Sequence, residues 1–463
     1  MANTTIKQAI LLAAGEGRKA WPYGVTQNKA AFPVAGQPLI RWTVNLLREA
    51  GIDAITVVCG YRQEQLRYAL RDLAPVQWIE QANPIGTAHA LLTALQAQNW
   101  QAGDEILVLY GDVVLTPEHL KALVRVEAGP VALMYPVSAG ESRHWLCARV
   151  EKRRIVQVLG HPREDVTHRF AGGFRFRPAE LMPFLEANPG RMQSIEVGQM
   201  PPDEWHFEES LQMSIEAGME WQAVEIGAPF VDIDKPWHLM RANYELAHYR
   251  TERLTRDEIA PTARVHDSAI IEGHIRLGES SEIGPRCIIK GNLIVGDNTI
   301  ITDGAIIEAN CIIGNHTRIQ RYCQIEKGSV IGNHCVIGHA AEFSGVMMDR
   351  TYNYHYGEYW GVLGTACDLG AATVCGNLRF DDDQTEHRIR GHKEKPDWGA
   401  NAAYLGDYVR TGVNCIIMPG VKVGPWSVLG AGTIISEDVP ERMRVWVEQQ
   451  IQKKSWGPER YGW

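Results

Sequence analysis

The chain has 463 residues, a net charge of −9 and a pI near 6.0. That length allows two to three domains with room for a sizeable core, and the acidic balance argues against a nucleic-acid surface. No apolar run approaches the roughly 18 residues of a membrane span, and residues 10–14 are too few for a signal peptide. The chain therefore reads as cytoplasmic, with neither nucleic acid nor membrane among its partners.

Residues 6–14 read as a buried strand running into Gly15-Glu16-Gly17-Arg18-Lys19. Glycines after a strand let backbone N–H groups turn towards phosphate oxygens, and a nearby cation adds charge. Pro22, Asn28-Lys29, Pro33, Gly36 and Pro38 follow. Together with Leu12-Ala13-Ala14, this series resembles the signature of sugar-1-phosphate nucleotidylyltransferases, over roughly residues 1–245. The resemblance implies that Ala13, Ala14, Gly15, Gly17 and Arg18 surround a nucleotide, and that Lys19 and Lys29 neutralise phosphate charge in catalysis. Arg18 stands where the family has Ser or Thr, and Lys19 where it has its catalytic Arg. Lysine and arginine are not interchangeable at a phosphate fork.

A helix over 39–50, a strand over 54–59 and a helix over 62–73 lead to Gln81, Gly86-Thr87 and His89. This segment resembles that of uridylyltransferases, where the Gln amide reads the pyrimidine edge and the Gly-Thr backbone approaches the base. One amide donor and one acceptor match uracil O4 and N3–H, so UTP or dTTP is the implied nucleotide. His89 reads as a capping or packing residue.

Residues 106–115 form an apolar strand carrying Gly111-Asp112. Ligands collect at the carboxyl ends of strands in a doubly wound sheet, and an Asp there is a natural Mg²⁺ ligand. The family's second metal ligand falls on Asp232 or Asp234, according to a two-residue shift, and both stay open. The middle, 130–215, matches least. Trp145 and Gly160 stand where the family contacts the sugar, and Ala171 stands at its Asn, which leaves the sugar unassigned.

A helix starting at 236 reads as a linker to residue 258. From Ile259 every sixth residue is aliphatic as far as Ile337, and Phe343 follows in step. A period of six fits neither a helix nor an alternating strand. It fits one side of a triangular coil, with the aliphatic inward and a small residue (Ser281, Cys287, Cys311, Cys323, Cys335) at the corner. The pattern resembles the left-handed parallel β-helix of hexapeptide-repeat acyltransferases. It spans 259–440, with expected insertions at 344–362 and 378–404 and a tail over 441–463.

The C-terminal half resembles the acetyltransferase part of archaeal-type bifunctional sugar-1-phosphate enzymes, on Asn377-Leu378-Arg379-Phe380-Asp381 and on residues 411–420. The resemblance implies acetyl-CoA as co-substrate, His355 as general base if one residue is deleted (Tyr356 otherwise), and Tyr359, Asn377 and Lys393 around the acyl site. Related β-helices pack as three parallel prisms, so a homotrimer is implied.

The resulting expectation is an α/β Rossmann-like nucleotidyltransferase domain (1–235) followed by a β-helix, making an NDP-sugar and pyrophosphate from a sugar 1-phosphate and UTP or dTTP. The competing reading is a non-catalytic scaffold resembling translation-factor exchange subunits. The altered Arg18-Lys19 pair favours it, and Lys29, Gln81, Gly86-Thr87 and Asp112 oppose it.

Overall fold

In the computed structural model, the described residues are 6–457 apart from 102, 127–128, 139, 163–165 and 188–204; the last six residues of the tail lie outside them. The first half builds a mixed sheet from β1 (Gln8–Ala13), β2 (Ala54–Cys59), β3 (Gln77–Glu80), β4 (Ile106–Tyr110), β5 (Val131–Pro136), β6 (Leu146–Glu151), β7 (Arg154–Gly160), β8 (His168–Phe176) and β9 (Trp221–Glu225). The order is β3-β2-β1-β4-β8-β5-β9-β7-β6. β1 lies parallel to both β2 and β4. The central strands are continuous apolar runs because helices cover both faces of the sheet, one side packing on Leu11, Val57 and Leu109 and the other on Ile10, Val58 and Val108. Strand order reverses between β1 and β4, where the carboxyl ends leave a crevice for ligand.

After the helix Pro236–Thr251 the chain winds into a left-handed β-helix. Each short strand pairs in parallel with the one eighteen residues on, as Glu258 with Arg276, Arg264 with Glu282 and Ile270 with Ile288. Ile283, Ile301, Ile319 and Ile337 stack inside, fully buried. The small corner residues also bond between coils: the Thr299 hydroxyl donates to Gly314 O (2.6 Å) and that of Thr317 to Gly332 O (2.8 Å). Cysteine fills the same kind of position. All nine cysteines are free and buried, and burial pushes the Cys335 thiol up to about 12, which suits an inert filler at its corner.

The expected insertion at 344–362 is not pushed out of the coil. The strands Glu342–Met347 and Glu358–Leu363 each run through two sides of the prism without the usual corner. The pairing step shortens from eighteen residues to sixteen, as Glu342 with Glu358 and Val336 with Tyr352. Gly345 (φ 117°) and Gly361 (φ 143°) make the sharper bend, and only glycine fits. A Cβ on Gly345 would lie 2.1 Å from Gly361 O, and one on Gly361 would lie 1.9 Å from Ala403 O. The second expected insertion does leave the coil, carries the hairpin His387–Ile389 with His392–Glu394, and returns at the strand Ala403–Leu405.

Outward-facing Ile294, Ile312, Val330, Val346, Val362 and Tyr404 form an apolar ladder on one prism face. The linker helix (Leu239, Met240, Leu246) and the segment after the glycine loop of the sheet domain (Tyr23, Phe32, Val34) pack on that ladder. The Tyr23 hydroxyl donates to Val362 O (2.7 Å), and Gln27 Nε2 donates to Asp407 (2.9 and 3.0 Å). No described helix is long and apolar enough to cross a membrane.

The excursion folds back onto the start of the linker helix. Glu394 meets Lys235 at 2.7 Å, and the His387 ring lies 4.9 Å from that of Trp237. His387 Nε2 donates to Ala400 O (2.7 Å) while its Nδ1 accepts from Lys422 Nζ (3.1 Å), an arrangement open only to the neutral ring. Burial, then the charge of Lys422, pushes His387 down to about 4. An unfolded chain takes up this proton near pH 6.5, so the stabilisation is intact above that value and is lost as pH falls towards 4. The size is about 3 kcal/mol. Urea unfolding between pH 7 and 4 should show this loss in the wild type, with a flatter profile for His387→Gln. Superimposable profiles would assign the acid sensitivity elsewhere.

Candidate functional site

The crevice between β1 and β4 is where the candidate nucleotide residues meet. Ala13 ends β1 and Ala14 follows it, and Gly17, in left-handed conformation (φ 65°), starts a short turn over Arg18–Ala20. A Cβ on Gly17 would lie 2.5 Å from Lys29 Cγ, so this glycine allows the lysine stem to pass beneath the loop. Asn28 is buried and sets the lysine in place: its side chain donates to Ala13 O (3.0 Å) and Tyr61 O (2.7 Å) and accepts from Ala30 N (2.9 Å). The Gly15 side of the loop is open. Arg18 pairs with Glu16 outside the acidic centre.

Gly111 N donates to Leu12 O (2.8 Å), which fixes Asp112 beside the loop. Directly after it, Val113–Val114 pairs antiparallel with Val231–Asp232, and Ile233 N donates to Asp112 O (2.9 Å). This clasp brings residues more than a hundred positions apart into one centre. Lys29 Nζ lies 2.6 Å from Asp112 and 3.7 Å from Asp234, and Lys19 Nζ lies 3.4 Å from Asp234.

The two candidate metal carboxylates differ sharply. Burial, then the like charge of Asp112, pushes Asp232 up to about 7. Burial also opposes the charge of Asp234, but Lys29, Lys19 and Lys235 outweigh it and hold that carboxyl well below the usual range. Burial likewise opposes the Lys29 charge, and Asp112 with Asp234 and Asp232 raises the ammonium above its ordinary value nonetheless. Asp234 is thus held by several lysines, whereas Asp112, paired with Lys29 alone among the described residues, also faces Asp232 as a like charge. Two carboxylates are the donor set that Mg²⁺ uses when phosphates and water complete its shell. Among the described residues no group of three or more His, Cys, Asp or Glu side chains forms a closed metal cage.

Gln81, the candidate for base recognition, is buried, and its Nε2 already serves Gly86 O (3.1 Å) and His89 Nδ1 (2.9 Å). Its carbonyl is the group left to accept from a pyrimidine N3–H; O4 needs a donor elsewhere. Gly86 (φ 125°) owes its small size to the protein itself, since a Cβ there would lie 2.4 Å from the Trp205 backbone. The Thr87 hydroxyl accepts from Phe207 N (2.9 Å). These two residues brace the loop against the segment after 204, a use that the sequence alone did not indicate.

Beside Asp232 opens a cleft of about 480 Å³, lined by Trp145, Arg169 and Phe230 and, from the β-helix excursion, by Asp397 and Trp398. Trp145 was legible only as a departure from the family pattern. Arg169 carries no motif in the sequence; it is one of two buried arginines of β8.

The acyl-site candidates are not gathered in the same way. His355 lies at a coil corner, its ring stacked 4.6 Å from His339, and the Tyr356 hydroxyl is 3.1 Å from His339 Nε2. Asn377 is exposed at the start of the excursion, and Lys393 pairs with Glu386 (2.6 Å) on the hairpin. No hydrogen bond or ion pair among the described residues joins these three. Tyr359 is a correction: it is 1% exposed, parallel to Phe343 inside the prism, with its hydroxyl bonded to Val362 O and Ala403 O. Continuous pairing of Glu358–Leu363 turns it inward, away from any acyl acceptor.

Comparison with known proteins matches both halves. Residues 9–171 match the family model of the MobA-like NTP transferase domain, and residues 256–348 match that of the GMPPB C-terminal domain. A bifunctional protein GlmU of Methanococcus maripaludis is 30% identical over 453 residues, and one from another strain is 28% identical over 460, each covering 96% of this chain and 98% of the relative. A bifunctional sugar-1-phosphate nucleotidylyltransferase/acetyltransferase of Sulfurisphaera tokodaii is 24% identical over 437 residues, covering 93% and 98%. Similarity at that level along both domains, together with a nucleotidyltransferase sheet joined to a β-helix, shows that the chain belongs to the family of bifunctional GlmU proteins.

Proposed function

We propose that the sheet domain condenses a sugar 1-phosphate with UTP or dTTP, giving an NDP-sugar and pyrophosphate. The observation that carries this reading is the Lys29 ammonium between Asp112 (2.6 Å) and Asp234 (3.7 Å), at the mouth of a glycine loop. A sugar-phosphate oxygen attacks the α-phosphorus in line, a new P–O bond forms, and the bond to the bridging oxygen breaks to release pyrophosphate. Lys29 and Lys19 offset charge developing on the phosphates, and the Gly15–Gly17 side of the loop offers backbone N–H groups. Asp112 and Asp232 would hold Mg²⁺, which supplies charge neutralisation between phosphates when bound. Asp234, held by its lysines, orients the cations. A scaffold without catalysis has no use for such a centre.

The β-helix is proposed to N-acetylate a hexosamine 1-phosphate with acetyl-CoA, His355 taking the proton from the attacking amine. Exposed apolar groups on its remaining faces, such as Ile416 and Ile434, support a homotrimer. A cytoplasmic setting agrees with the reduced cysteines.

One assay tests both halves: pyrophosphate and thiol release from a panel of NTPs, sugar 1-phosphates and hexosamine 1-phosphates, with and without acetyl-CoA. UTP or dTTP should exceed ATP and GTP by at least roughly tenfold in kcat/KM, on the order of one buried hydrogen-bond pair. Equal use of ATP would remove Gln81 from base recognition. Absence of thiol release with every amino sugar phosphate would leave the β-helix an assembly module, and light scattering at a single chain's 51.7 kDa would exclude the trimer.

A further inference from the structure

β8 carries two buried arginines, each with one nitrogen unpartnered among the described residues, Nε of Arg175 and Nη1 of Arg169, but their surroundings differ. Arg175 donates from Nη1 to Val124 O (3.0 Å) and from Nη2 to Gly129 O (3.3 Å), with Glu105 at 3.9 Å. Arg169 is 8% exposed, and its Nη1 has no hydrogen-bond partner among the described residues. Its guanidinium carbon lies 3.7 Å from the centre of the Trp145 ring, 5.0 Å from that of Phe230 and 5.5 Å from that of Tyr135. Aromatic faces attract a cation but accept no N–H bond in the plane of the fork. Asp232 and Glu141 offset part of the Arg169 charge, but a buried N–H without an acceptor is costly, and an arriving anion supplies that acceptor. Arg169 lines the cleft beside Asp232.

The rest of the lining says what that anion is attached to. Glu141 and Asp397 are acceptors for hydroxyl donors, and Trp398 presents an indole. The guanidinium forks of Arg169 and Arg241, carboxylates that suit hydroxyls, and aromatic surface together match an acidic carbohydrate. Asp397 and Trp398 belong to the excursion, which Glu394 ties to Lys235 beside the catalytic cluster. The cleft is therefore complete only with the β-helix in place.

Building on the sugar-phosphate reading above, we propose that Arg169 is the substrate-recognising cation of this cleft. Its fork receives an oxyanion of the sugar phosphate, and the β-helix residues Asp397 and Trp398 close over the sugar ring. The oxyanion has two possible sources, the 1-phosphate itself or a ring carboxylate of hexuronic acid type.

The test uses the full chain. Glucose, N-acetylglucosamine and glucuronic acid 1-phosphates are titrated calorimetrically into wild type, Arg169→Met, Arg169→Lys and Trp398→Ala, with Mg²⁺ and a non-hydrolysable UTP analogue present. Pyrophosphate release is followed in parallel. Arg169→Met should weaken sugar-phosphate binding at least tenfold, leave affinity for the UTP analogue within twofold, and raise KM for the sugar phosphate more than it lowers kcat. Trp398→Ala should weaken the same ligands at least threefold. Loss for every sugar phosphate identifies the 1-phosphate as the partner, and loss confined to glucuronic acid 1-phosphate identifies the carboxylate. If Arg169→Met does not fold, Arg169→Lys decides: it keeps the charge without the fork and should lose at least threefold. A folded Arg169 variant with wild-type affinity overturns the proposal, as does a wild type that binds none of the three. Binding that depends on Arg169 in an enzyme that releases no pyrophosphate would instead overturn the reaction and keep the receptor.

Discussion

Asp112→Asn should lower pyrophosphate-forming turnover by about 10²-fold or more with the fold intact, the scale seen when one preorganised charge contact of a transition state is removed. Asparagine keeps the size and the backbone contacts that hold this position, including Gly111 N to Leu12 O and Ile233 N to Asp112 O. Only the charge is lost. Lys29 retains Asp234 at 3.7 Å, so no ammonium is stranded. The repulsion that helps to hold Asp232 up to about 7 also disappears, leaving a single ionised carboxylate where a divalent cation needs two. The variant should therefore need more Mg²⁺ for half-maximal rate. A titration giving the wild-type rate and the wild-type Mg²⁺ requirement would take Asp112 out of the mechanism.

Lys29→Met should cost about 10²- to 10³-fold in turnover, with the opposite change in metal requirement. The Lys29 side chain is only 14% exposed, and its stem packs against Gly17, so methionine preserves the packing while removing the ammonium. Asp112, Asp232 and Asp234 then share the centre with Lys19 and Lys235, and the site becomes more negative. It attracts a divalent cation more strongly but has lost the charge that follows the phosphates through the reaction. Lower half-saturation by Mg²⁺ with a collapsed kcat is the expected pair of results. If Lys29→Met and Asp112→Asn instead shift the metal requirement in the same direction, the two residues do not act as opposed charges.

The architecture was legible because local rules repeat. A side chain every sixth residue must be inward and aliphatic to stack between coils, so the prism could be read from Ile259 to Phe343 without any knowledge of contacts. The same holds for β1 and β4, whose uninterrupted apolar runs and terminal Gly15 and Gly111-Asp112 announce a buried parallel sheet with ligand at its ends. Where the local rule changed, it misled. Sixteen-residue turns look like a break in an eighteen-residue period, yet Gly345 and Gly361 absorb the missing corner and carry Tyr359 inward.

What only the tertiary structure decided is which distant groups share one environment. Asp232 and Asp234 are equivalent in sequence, two residues apart beside the same strand end. They are separated by their neighbours: Asp112 raises one, while Lys19, Lys29 and Lys235 hold down the other. Arg169, Trp398 and Asp397 are likewise silent in sequence, because an unpartnered buried N–H or a shared cleft exists only after the chain has folded. Periodicity is a property of consecutive residues and is written along the chain. Charge coupling falls off with distance in space, and the fold alone sets that distance.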